Sequence, residues 1–375
     1  MCLIILGIQC LTLQKSWVFN FFMKILHIAP IGHHAEGIGT VLQRLVPMQI
    51  SLGEDVRIVT PFDNKTYHTL PITTITEKKI FELFVDSWRP NIVIFHSVFN
   101  LRYSVFYRIL EKNGIPYLIQ LHGALSVENY NKNQFKKKIA LLLWIKRFIK
   151  HAKTIIYLNN AEYNNSIVPN INPGYSIIPN GCDRQEDIIL QRESGAELNI
   201  IFIGRIVYVH KGIDILIEAL HLLEERHITG YHITFYGNED DEDVGRLKRD
   251  IENLKFVNYG GSVYGEKKVR VLRDADIYIL TSRYEGMPMG VLEAWSYGIP
   301  CILTPGTNMI NEKSDTNYYW YSDLDPKKIA DTIIRAMTQL RDSPNRYRSA
   351  SFEQSKKFNW SSISALSIDV YKKAL

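Results

Sequence analysis

The sequence is poor in cysteine and has no large excess of either charge. Four cysteines occur in 375 residues, namely Cys2, Cys10, Cys182 and Cys301. None belongs to a Cys-x-x-Cys pair, so neither a zinc site nor a disulfide framework is expected, and a reducing compartment fits best. Lysine and arginine exceed aspartate and glutamate by 44 − 39 = 5, and so small an excess gives no reason to expect a nucleic-acid partner.

Charge is scarce at the amino terminus. Residues 1–22 are apolar apart from a few polar positions and Lys15. The segment can be read as a signal sequence or as a marginal membrane span. We favour a third interpretation, in which Met23 is the natural start and residues 1–22 are upstream sequence joined in error, because a strand pattern begins at Met23. The intact mass of the protein from its native host tests this hypothesis.

Short apolar runs alternate with helix-length stretches along the rest of the chain. The runs cover residues 25–29, 56–60, 92–96, 117–121 and 154–158, and then 198–203, 231–236, 257–262, 276–280 and 299–303. This alternation predicts an α/β protein whose parallel sheets are covered on both faces. A polar segment, 184–197, separates the two sets of runs and is typical of a linker. Two Rossmann-like domains with a cleft between them are therefore expected.

The strongest chemical signal lies between the last two runs. Glu285 and Glu293 are separated by seven residues, and a short helix is expected to begin near Gly290. The backbone N–H groups of Met289, Gly290 and Val291 would then lie at a helix N-terminus, which favours a phosphate. Carboxylates on both sides of an anion site suit a nucleotide-sugar, since they accept hydrogen bonds from hydroxyl groups. The alternative is a solvated loop residue and an acid in the helix's first turn.

The segment Glu-Gly-Met-Pro-Met-Gly-Val-Leu-Glu, from Glu285 to Glu293, resembles the signature of the retaining GT-B glycosyltransferases of the family-four, or group 1, type. The resemblance extends from about Lys24 to Leu375. It implies the GT-B fold, in which two Rossmann-like domains with parallel sheets face each other across a cleft. It also implies sugar transfer from a nucleotide diphosphate donor, UDP- or GDP-linked, with retention at the anomeric carbon and no metal or other cofactor.

A basic motif follows the run 198–203. Gly204-Arg205 ends this run, and Lys211-Gly212 stands six residues after the arginine, where a helical pattern begins. Two fixed cations can neutralise the charge that develops on a leaving diphosphate. The resembling family carries the same pair, which implies a diphosphate site at Arg205 and Lys211. A structural role for both cations is the alternative.

The resemblance also implies roles on the two sides of the cleft. His122 follows the run 117–121 and matches the family's active-site histidine, so contact with the transferred sugar is expected together with Glu285. The alternative is a strand-end histidine bonded to backbone. Glu293 is expected to hold the ribose. The remaining donor-binding candidates are Gly39, Gly204, Gly237, Met289, Gly290, Val291 and Thr307.

Two loops carry weaker signals. Gly37 and Gly39 are expected in a loop that opens a helix beside the donor diphosphate, because glycine lets the backbone approach a ligand closely. His33 and His34, in the same loop, are interpreted as loop residues rather than metal ligands. The acidic run 239–243, which follows Gly237-Asn238, is interpreted as a solvated loop.

One segment lacks acids altogether. From Lys132 to Lys153 there are eight lysines and arginines and no aspartate or glutamate, around the apolar centre 139–145. A helix of this kind can lie on anionic lipid, where each basic residue contributes about 1 kcal/mol. The residues assigned to this membrane contact are Lys136, Lys137, Lys138, Trp144, Lys146 and Arg147, and Phe148 is a further interface candidate. The alternative is a domain helix whose apolar face packs on the sheet, and both hold if the lysines face outward.

The predicted organisation is an upstream segment 1–22, an acceptor-side domain 23–183, a linker 184–197, a nucleotide-sugar domain 198–357, and a terminal helix 358–375 that returns to the first domain. The acceptor is expected to be a glycan, lipid-linked at the inner face of the cytoplasmic membrane, in bacterial envelope polysaccharide synthesis of the O-antigen or capsule type. The alternatives are a sugar-nucleotide epimerase of the same fold and a non-catalytic nucleotide-sugar-binding subunit.

Overall fold

The structure is a computed structural model that describes residues 22–31, 36–62, 70–127, 139–183, 185, 197–310 and 313–375. In these ranges the strands are β1 (Lys24–Ile28), β2 (Asp55–Thr60), β3 (Ile72–Thr74), β4 (Ile92–His96), β5 (Tyr117–Gln120), β6 (Thr154–Tyr157), β7 (Tyr175–Ile177), β8 (Leu198–Ile203), β9 (Tyr231–Tyr236), β10 (Val257–Gly261), β11 (Ile277–Leu280), β12 (Cys301–Leu303) and β13 (Tyr319–Tyr321).

The α-helices of the same ranges are α1 (Glu36–Ser51), α2 (Lys78–Trp88), α3 (Tyr103–Lys112), α4 (Lys146–His151), α5 (Asn160–Asn164), α6 (Tyr208–Lys211), α7 (Ile213–Glu225), α8 (Val244–Asp250), α9 (Gly265–Asp274), α10 (Met289–Ser296), α11 (Pro326–Asp342), α12 (Pro344–Ser355) and α13 (Trp360–Lys373). A π-helical turn, Leu141–Ile145, leads into α4, and 3-10 turns cover Val168–Asn170, Pro305–Thr307 and Lys356–Phe358.

The strands form two parallel sheets. The first has the order β3-β2-β1-β4-β5-β6-β7 and the second the order β10-β9-β8-β11-β12-β13. In each sheet the chain reverses its direction of winding once, beside β1 in the first and beside β8 in the second. Ligands of open α/β sheets bind at such points, outside the carboxyl ends of the strands. The topology therefore places the candidate site at the ends of β1, β4 and β5 and of β8 and β11.

The strands are apolar because both faces of each sheet are covered. In β1, Leu26 and Ile28 pack into the apolar cluster formed with α2 and α3. Ile25 points to the opposite face and joins a second cluster, which contains Leu42 of α1 and Ile368 of α13. Alternate residues of one strand thus enter different layers, as the two-residue period of a strand requires.

The end of the chain packs on the first sheet. Trp360, at the start of α13, lies so close to Gly181 that a Cβ at Gly181 would be 2.4 Å from the indole ring. The Cys182 N–H donates to the Phe358 carbonyl at 2.7 Å, beside the same contact. The domain boundaries proposed from the sequence stay predictions, since residues 186–196 lie outside the described ranges.

The structure differs from the sequence expectations in a few elements. The edge strands β3 and β13 and the helix α12 were not predicted from the sequence. The loop expected at Gly37 and Gly39 is wrong in extent, because α1 begins at Glu36 and both glycines lie in its first turn.

His33 and His34 fall outside the described residues. Cys182 and Cys301 are buried free thiols, and Cys2 and Cys10 are also outside the described ranges.

The apolar face of the basic segment is buried. Trp144 is 7% exposed and Phe148 is fully buried, with their ring centroids 5.9 Å apart. The expectation that these two rings are available for an interface is therefore wrong, because they complete the core of the first domain. Lys146 and Arg147 point to the surface. Lys136, Lys137 and Lys138 fall outside the described residues, and none of the described helices is both long and apolar enough to cross a membrane.

Candidate functional site

The loops that follow β5 and β11 approach each other closely at a pair of glycines. A Cβ at Gly123, which follows β5, would lie 3.0 Å from the Gly286 nitrogen, and a Cβ at Gly286 would lie 3.0 Å from the His122 carbonyl carbon. A contact this close between two backbones excludes larger residues. The Asn159 side chain reinforces the contact, since its Nδ2 donates to the Gly286 carbonyl at 3.2 Å. His122 and Glu285, both predicted to contact the sugar, are thus brought together.

A buried ion pair lies on the second-domain side of this contact. Lys211 Nζ donates to Glu285 Oε1 at 2.6 Å, and the Ser282 hydroxyl donates to the same oxygen at 2.6 Å. The two charged side chains are only 12% and 11% exposed. Burial alone would raise the pKa of Glu285, but the Lys211 ammonium and the two hydrogen bonds hold that pKa below its ordinary value. The carboxylate therefore stays charged and is a weak base.

His210 braces this pair and is itself uncharged at neutral pH. Burial is the main cause that lowers the pKa of His210 to about 4. Glu285 would raise this pKa, but the nearby cations Lys211 and Arg205 oppose its effect. Its ring stacks on Tyr284 with the centroids 4.3 Å apart, and its Nε2 donates to the Tyr284 carbonyl at 2.8 Å. Sequence reasoning overlooked His210, although it stands directly before Lys211.

Arg205 is exposed at the end of β8 and forms no ion pair with any residue in the described part of the chain. The loop that carries it is held by two acids. Asp241 Oδ2 accepts from the Ile206 N–H at 2.7 Å, and Asp243 Oδ2 accepts from the Tyr208 N–H at 2.7 Å. The interpretation of the acidic run as a solvated loop is therefore wrong for these two residues, which fix the backbone around Arg205.

The helix α10 begins beside the ion pair without a side-chain cap. Its first turn rests on Tyr278, whose hydroxyl oxygen would lie 2.2 Å from a Cβ at Gly290 and donates to the Ile203 carbonyl at 2.9 Å. The Val291 N–H donates to the Pro288 carbonyl at 3.2 Å. Of the three amides predicted to bind phosphate, those of Met289 and Gly290 are left for a ligand.

Glu293 is ion-paired, which the sequence did not indicate. Lys268 of α9 approaches its two carboxylate oxygens at 2.8 and 2.7 Å. Glu293 is the fifth residue of α10 and so lies in its second turn rather than its first. Both Glu293 and Glu285 act on the buried Tyr278 hydroxyl, whose pKa is raised by burial and further by Cys301 and these two acids. Glu285 thus lies before the N-terminus of α10, and Glu293 lies within the helix.

The remaining glycine and threonine candidates have different surroundings. A Cβ at Gly237 would lie 2.5 Å from Ile206 and 2.8 Å from the Gly204 carbonyl, so glycine is needed for the loops after β8 and β9 to meet. A Cβ at Gly204 would meet only ordinary contacts. Thr307 is fully buried and its hydroxyl donates to the Thr304 carbonyl at 2.8 Å. The prediction that its side chain binds the donor is wrong, because that hydroxyl is buried and bonded inside the domain.

His122 ends a row of polar side chains that sequence reasoning missed. Its Nε2 lies 2.9 Å from His96 Nδ1, and His96 Nε2 lies 2.9 Å from His27 Nδ1. His27 Nε2 in turn lies 3.0 Å from Gln49 Oε1 of α1. The available signal was a histidine in each of two otherwise apolar strands. The ring nitrogens bond to one another, and no group of three possible metal ligands occurs among the described residues.

His122 is also held by its backbone. Its φ is +53°, a left-handed conformation that costs a non-glycine residue about 1–3 kcal/mol and persists only where surrounding contacts impose it. The buried Glu162 supplies such contacts, since it accepts hydrogen bonds from the Gly123 N–H and, at 2.6 Å, from the Leu158 N–H. Burial raises the pKa of Glu162 to about 7, against the effect of the two backbone donors. Sequence reasoning did not find Glu162.

These observations define the class of fold. Two parallel α/β sheets meet at their carboxyl ends across a cleft, and a cation–carboxylate pair and an uncapped helix line one side of it. This is the GT-B architecture, and the predicted fold is confirmed. Residues 197–339 match the family model for glycosyl transferases group 1. This domain is therefore similar to the group 1 glycosyltransferases, the family that the sequence resembles.

Known proteins resemble the chain over different lengths. An uncharacterized glycosyltransferase of Methanocaldococcus jannaschii, MJ1607, is 28% identical over 51% of the chain, which spans only 50% of that relative's length. The amylovoran biosynthesis glycosyltransferase AmsD of Erwinia amylovora is 24% identical over 64% of the chain and 67% of its own length. The structure of Alr3699/HepE of Anabaena in complex with UDP-glucose covers 94% of the chain with a TM-score of 0.73 at 16% identity, and 100% of that structure is matched.

Proposed function

We propose that the protein is a retaining hexosyltransferase that moves a sugar from a nucleotide diphosphate donor to a hydroxyl group of a glycan. The observation that carries this proposal is the Lys211–Glu285 pair, with 2.6 Å between its charged atoms, since Glu285 is next in the chain to Gly286, which lies against the His122 backbone. A site with fixed charge on one side and a neutral polar ring on the other suits a ligand that is anionic at one end and hydroxylated at the other.

Different residues contact different parts of the donor. Arg205, Lys211 and the amides of Met289 and Gly290 stabilise the departing diphosphate, while Gly39 in the first turn of α1 faces it from the other domain. Glu285 and His122 orient the sugar, and Glu293 accepts from the ribose in competition with Lys268. Catalysis then comes from positioning and from charges that are in place before the reaction.

Retention is proposed to follow from attack on the face of the sugar that the diphosphate leaves. In this route the acceptor oxygen bonds to the anomeric carbon as the bond to the phosphate oxygen breaks, and the leaving phosphate takes the acceptor's proton. The low pKa of Glu285, which burial opposes and Lys211 imposes, supports this route because such a carboxylate is a poor base. Glu162 is occupied by two backbone N–H groups, so it is also not free to attack the sugar.

The acceptor is proposed to be a lipid-linked glycan of envelope polysaccharide synthesis, reached at the inner face of the cytoplasmic membrane. The similarity to AmsD, an amylovoran biosynthesis enzyme, supports the polysaccharide. The exposed cations Lys146 and Arg147 and the 73% exposed Leu143 support contact with anionic lipid. Replacing Lys136, Lys137 and Lys138 with glutamate is expected to release the protein from anionic vesicles in a flotation assay. Unchanged binding would remove the membrane proposal and leave the sugar transfer intact.

The decisive experiment is thermal stabilisation by UDP, GDP, ADP and CMP, each with and without EDTA. One nucleoside diphosphate is expected to raise the melting temperature of the parent protein, with the same rise in EDTA. Arg205→Ala and Lys211→Ala should lose the shift, whereas Lys356→Ala, which removes a cation paired with Glu353 on the surface, should keep it. No shift with any nucleotide would contradict the proposed donor site.

A second measurement separates transfer from the alternatives. The donor for this measurement is a nucleotide-sugar that carries the base identified by thermal stabilisation. The product is expected to have the same anomeric configuration as the donor when it is measured by NMR at early times. Inversion would contradict the retaining mechanism. Release of free sugar in the absence of any acceptor would instead favour the epimerase, and donor binding with no turnover in any acceptor mixture would favour the binding subunit.

A further inference from the structure

A continuous row of buried hydrogen bonds connects the cleft to the last helix of the chain. Beyond Gln49 the row continues through the Gln49 amide nitrogen to the Ser367 hydroxyl of α13, at 2.9 Å. The Ser367 hydroxyl donates to the Ser364 carbonyl at 2.7 Å. We call the five side chains of Ser367, Gln49, His27, His96 and His122 the histidine row. It crosses the first sheet from α13 to the end of β5, on the face covered by α1 and α13.

The direction of each hydrogen bond in the row follows from its outer end. Because the Ser367 hydroxyl donates its hydrogen bond to a backbone carbonyl, its oxygen accepts from the Gln49 amide N–H. The Gln49 oxygen then faces His27 Nε2, which must donate. In a neutral imidazole one nitrogen donates and the other accepts, so His27 Nδ1 accepts. The same step repeats at His96, whose Nε2 donates to His27 and whose Nδ1 accepts from His122 Nε2.

The three histidines can keep these hydrogen-bond directions only while they are neutral. His27 and His96 are fully buried, and none of the hydrogen bonds in the row goes to a carboxylate. Burial lowers the pKa of both, for His27 to about 4, and the neighbouring rings lower that of His96 further. An added proton would give one ring two donating nitrogens and face one of them with another donor. The row is therefore a chain of fixed polarity rather than a path for protons.

We propose that Ser367, Gln49, His27 and His96 are positioning residues that hold His122 in the Nε2–H form, so that its Nδ1 lone pair accepts a hydrogen bond from one hydroxyl group of the transferred sugar. This inference rests on the proposed function and deepens it. Nδ1 of His122 makes no hydrogen bond to any described residue. The donor must then carry a hydroxyl group, rather than a hydrogen, fluorine or other non-donor, at the position that faces His122.

The tautomer can be measured without any substrate. In protein labelled with ¹⁵N-histidine, long-range ¹H–¹⁵N spectra at neutral pH distinguish the two neutral forms and the imidazolium. The chain has 11 histidines, so the three signals are assigned by their loss in His27→Gln, His96→Gln and His122→Gln. We expect the Nε2–H form for all three. An Nδ1–H form or an imidazolium at His122 would overturn the proposal, whatever the protein transfers.

Two serines of α13 provide a matched pair of variants. Ser364 and Ser367 are both fully buried, but the Ser364 hydroxyl has no partner among the described residues, and only its backbone carbonyl takes part in the row. Ser367→Ala removes the acceptor that orients Gln49, so the His122 signals should move toward a mixture of the two forms. Ser364→Ala should leave them unchanged. Equal changes in the two variants would mean that α13 only packs against the sheet, and the proposal would fail.

The consequence for substrate selection is tested with UDP-glucose and its deoxyfluoro analogues, one for each hydroxyl group of the sugar in turn. One analogue is expected to bind the parent protein more weakly than UDP-glucose, by the roughly fivefold that corresponds to one hydrogen bond. That difference should vanish in His122→Ala, shrink in Ser367→Ala and persist in Ser364→Ala. If His122→Ala keeps the same discrimination, His122 does not read the hydroxyl group and the proposal is wrong at this step.

The two experiments separate failure of the inference from failure of the proposed function. If UDP-glucose and GDP-mannose both fail to bind while His122 is found in the Nε2–H form, the donor class is wrong and the fixed tautomer is upheld. If UDP-glucose binds and His122 is found in the other form, the nucleotide-sugar site is upheld and the proposed polarity of the row is wrong.

Discussion

The two sides of the cleft keep their polar groups in opposite electrical states. On the first domain, His27, His96 and His122 are bonded to one another and are neutral, with the pKa of His122 lowered by burial to about 4. On the second domain, Lys211 and Glu285 are little exposed and form an ion pair, and the pKa of Glu285 is lowered so that it stays charged. Burial acts on both sides, and the difference is that only the second side supplies an opposite charge within hydrogen-bond distance.

This difference suits the two ends of a nucleotide-sugar. A diphosphate needs fixed charge, and a sugar needs hydrogen-bond donors and acceptors whose direction is settled in advance. The second domain also holds Glu293 against Lys268, so its carboxylates are paired before any ligand arrives. The first domain instead uses its hydrogen bonds to orient one ring. Each of the variants described below removes one of these interactions.

The largest effect is expected from Lys211→Met, which turns the charged side into one with an unpaired acid. Loss of a cation that stabilises the leaving group should lower kcat by about 10²–10³-fold. The remaining buried carboxylate should destabilise the fold by about 3–5 kcal/mol, and its pKa should rise because Lys211 is the main influence that lowers it.

Turnover and thermal unfolding check this prediction. The double variant Lys211→Met/Glu285→Gln should regain most of the stability and none of the activity, since it removes the unpaired charge but not the need for a cation. Lys268→Met is the matched control for a cation–glutamate pair farther from the sugar. Full activity in Lys211→Met would contradict the assignment of Lys211 to the diphosphate.

Lowering the pH should destabilise the fold through the neutral histidines of the first domain. The pKa of His27 lies near 4 in the folded protein against an ordinary value of 6.5, so the unfolded chain binds a proton first as the pH falls. The stability that neutral His27 contributes is therefore complete above pH 6.5 and is lost between 6.5 and about 4. This corresponds to roughly 3 kcal/mol across that window.

Melting temperature as a function of pH measures this loss in the parent protein and in His27→Gln. The variant should start from a lower value at neutral pH and fall less steeply toward pH 4. The control is His221→Gln, since His221 is exposed on α7 and lies outside the row, so its replacement leaves the buried histidines in place. Parallel curves for parent and His27→Gln would mean that His27 is not held neutral.

An effect of opposite sign and similar size is expected from Glu162, an acid of the first domain that accepts only from backbone N–H groups in the described hydrogen bonds. Its pKa is raised to about 7, so the folded protein binds a proton more readily than the unfolded chain, and this contribution to stability is lost as the pH rises from 4.5 to about 7. Glu162→Gln removes that slope. It also places an amide against one backbone N–H, which should cost about 1–3 kcal/mol.

Thermal unfolding over the same pH range checks the sign, because the stability advantage of the parent over Glu162→Gln should shrink as the pH rises. The same variant should loosen the Gly123 backbone and broaden the NMR signals of His122. An advantage that grows with pH would show that Glu162 is ionised in the fold, and the contrast between the two sides of the cleft would then be weaker.

Much of the cleft was predictable because its signals are local. The seven residues between Glu285 and Glu293 and the Arg205 to Lys211 spacing are short motifs in strand, loop and helix patterns, and the observed β8 coincides with the predicted run 198–203. Errors arose where contacts come from distant parts of the chain. Trp144 was assigned to the membrane because its neighbours are basic, but a helix has two faces, and its own face enters the core.

The sequence alone determined the two-domain α/β architecture and the main charged residues, because strand and helix periods and short motifs lie in consecutive residues. Only the tertiary structure decided which partners those residues have. Lys268 reaches Glu293 across 25 positions, and Gln49 reaches Ser367 across 318. Pairings of this kind depend on how the sheets twist and where the last helix packs, and no periodicity records them. The protonation state of the cleft follows from these pairings, since burial and neighbouring charge decide it.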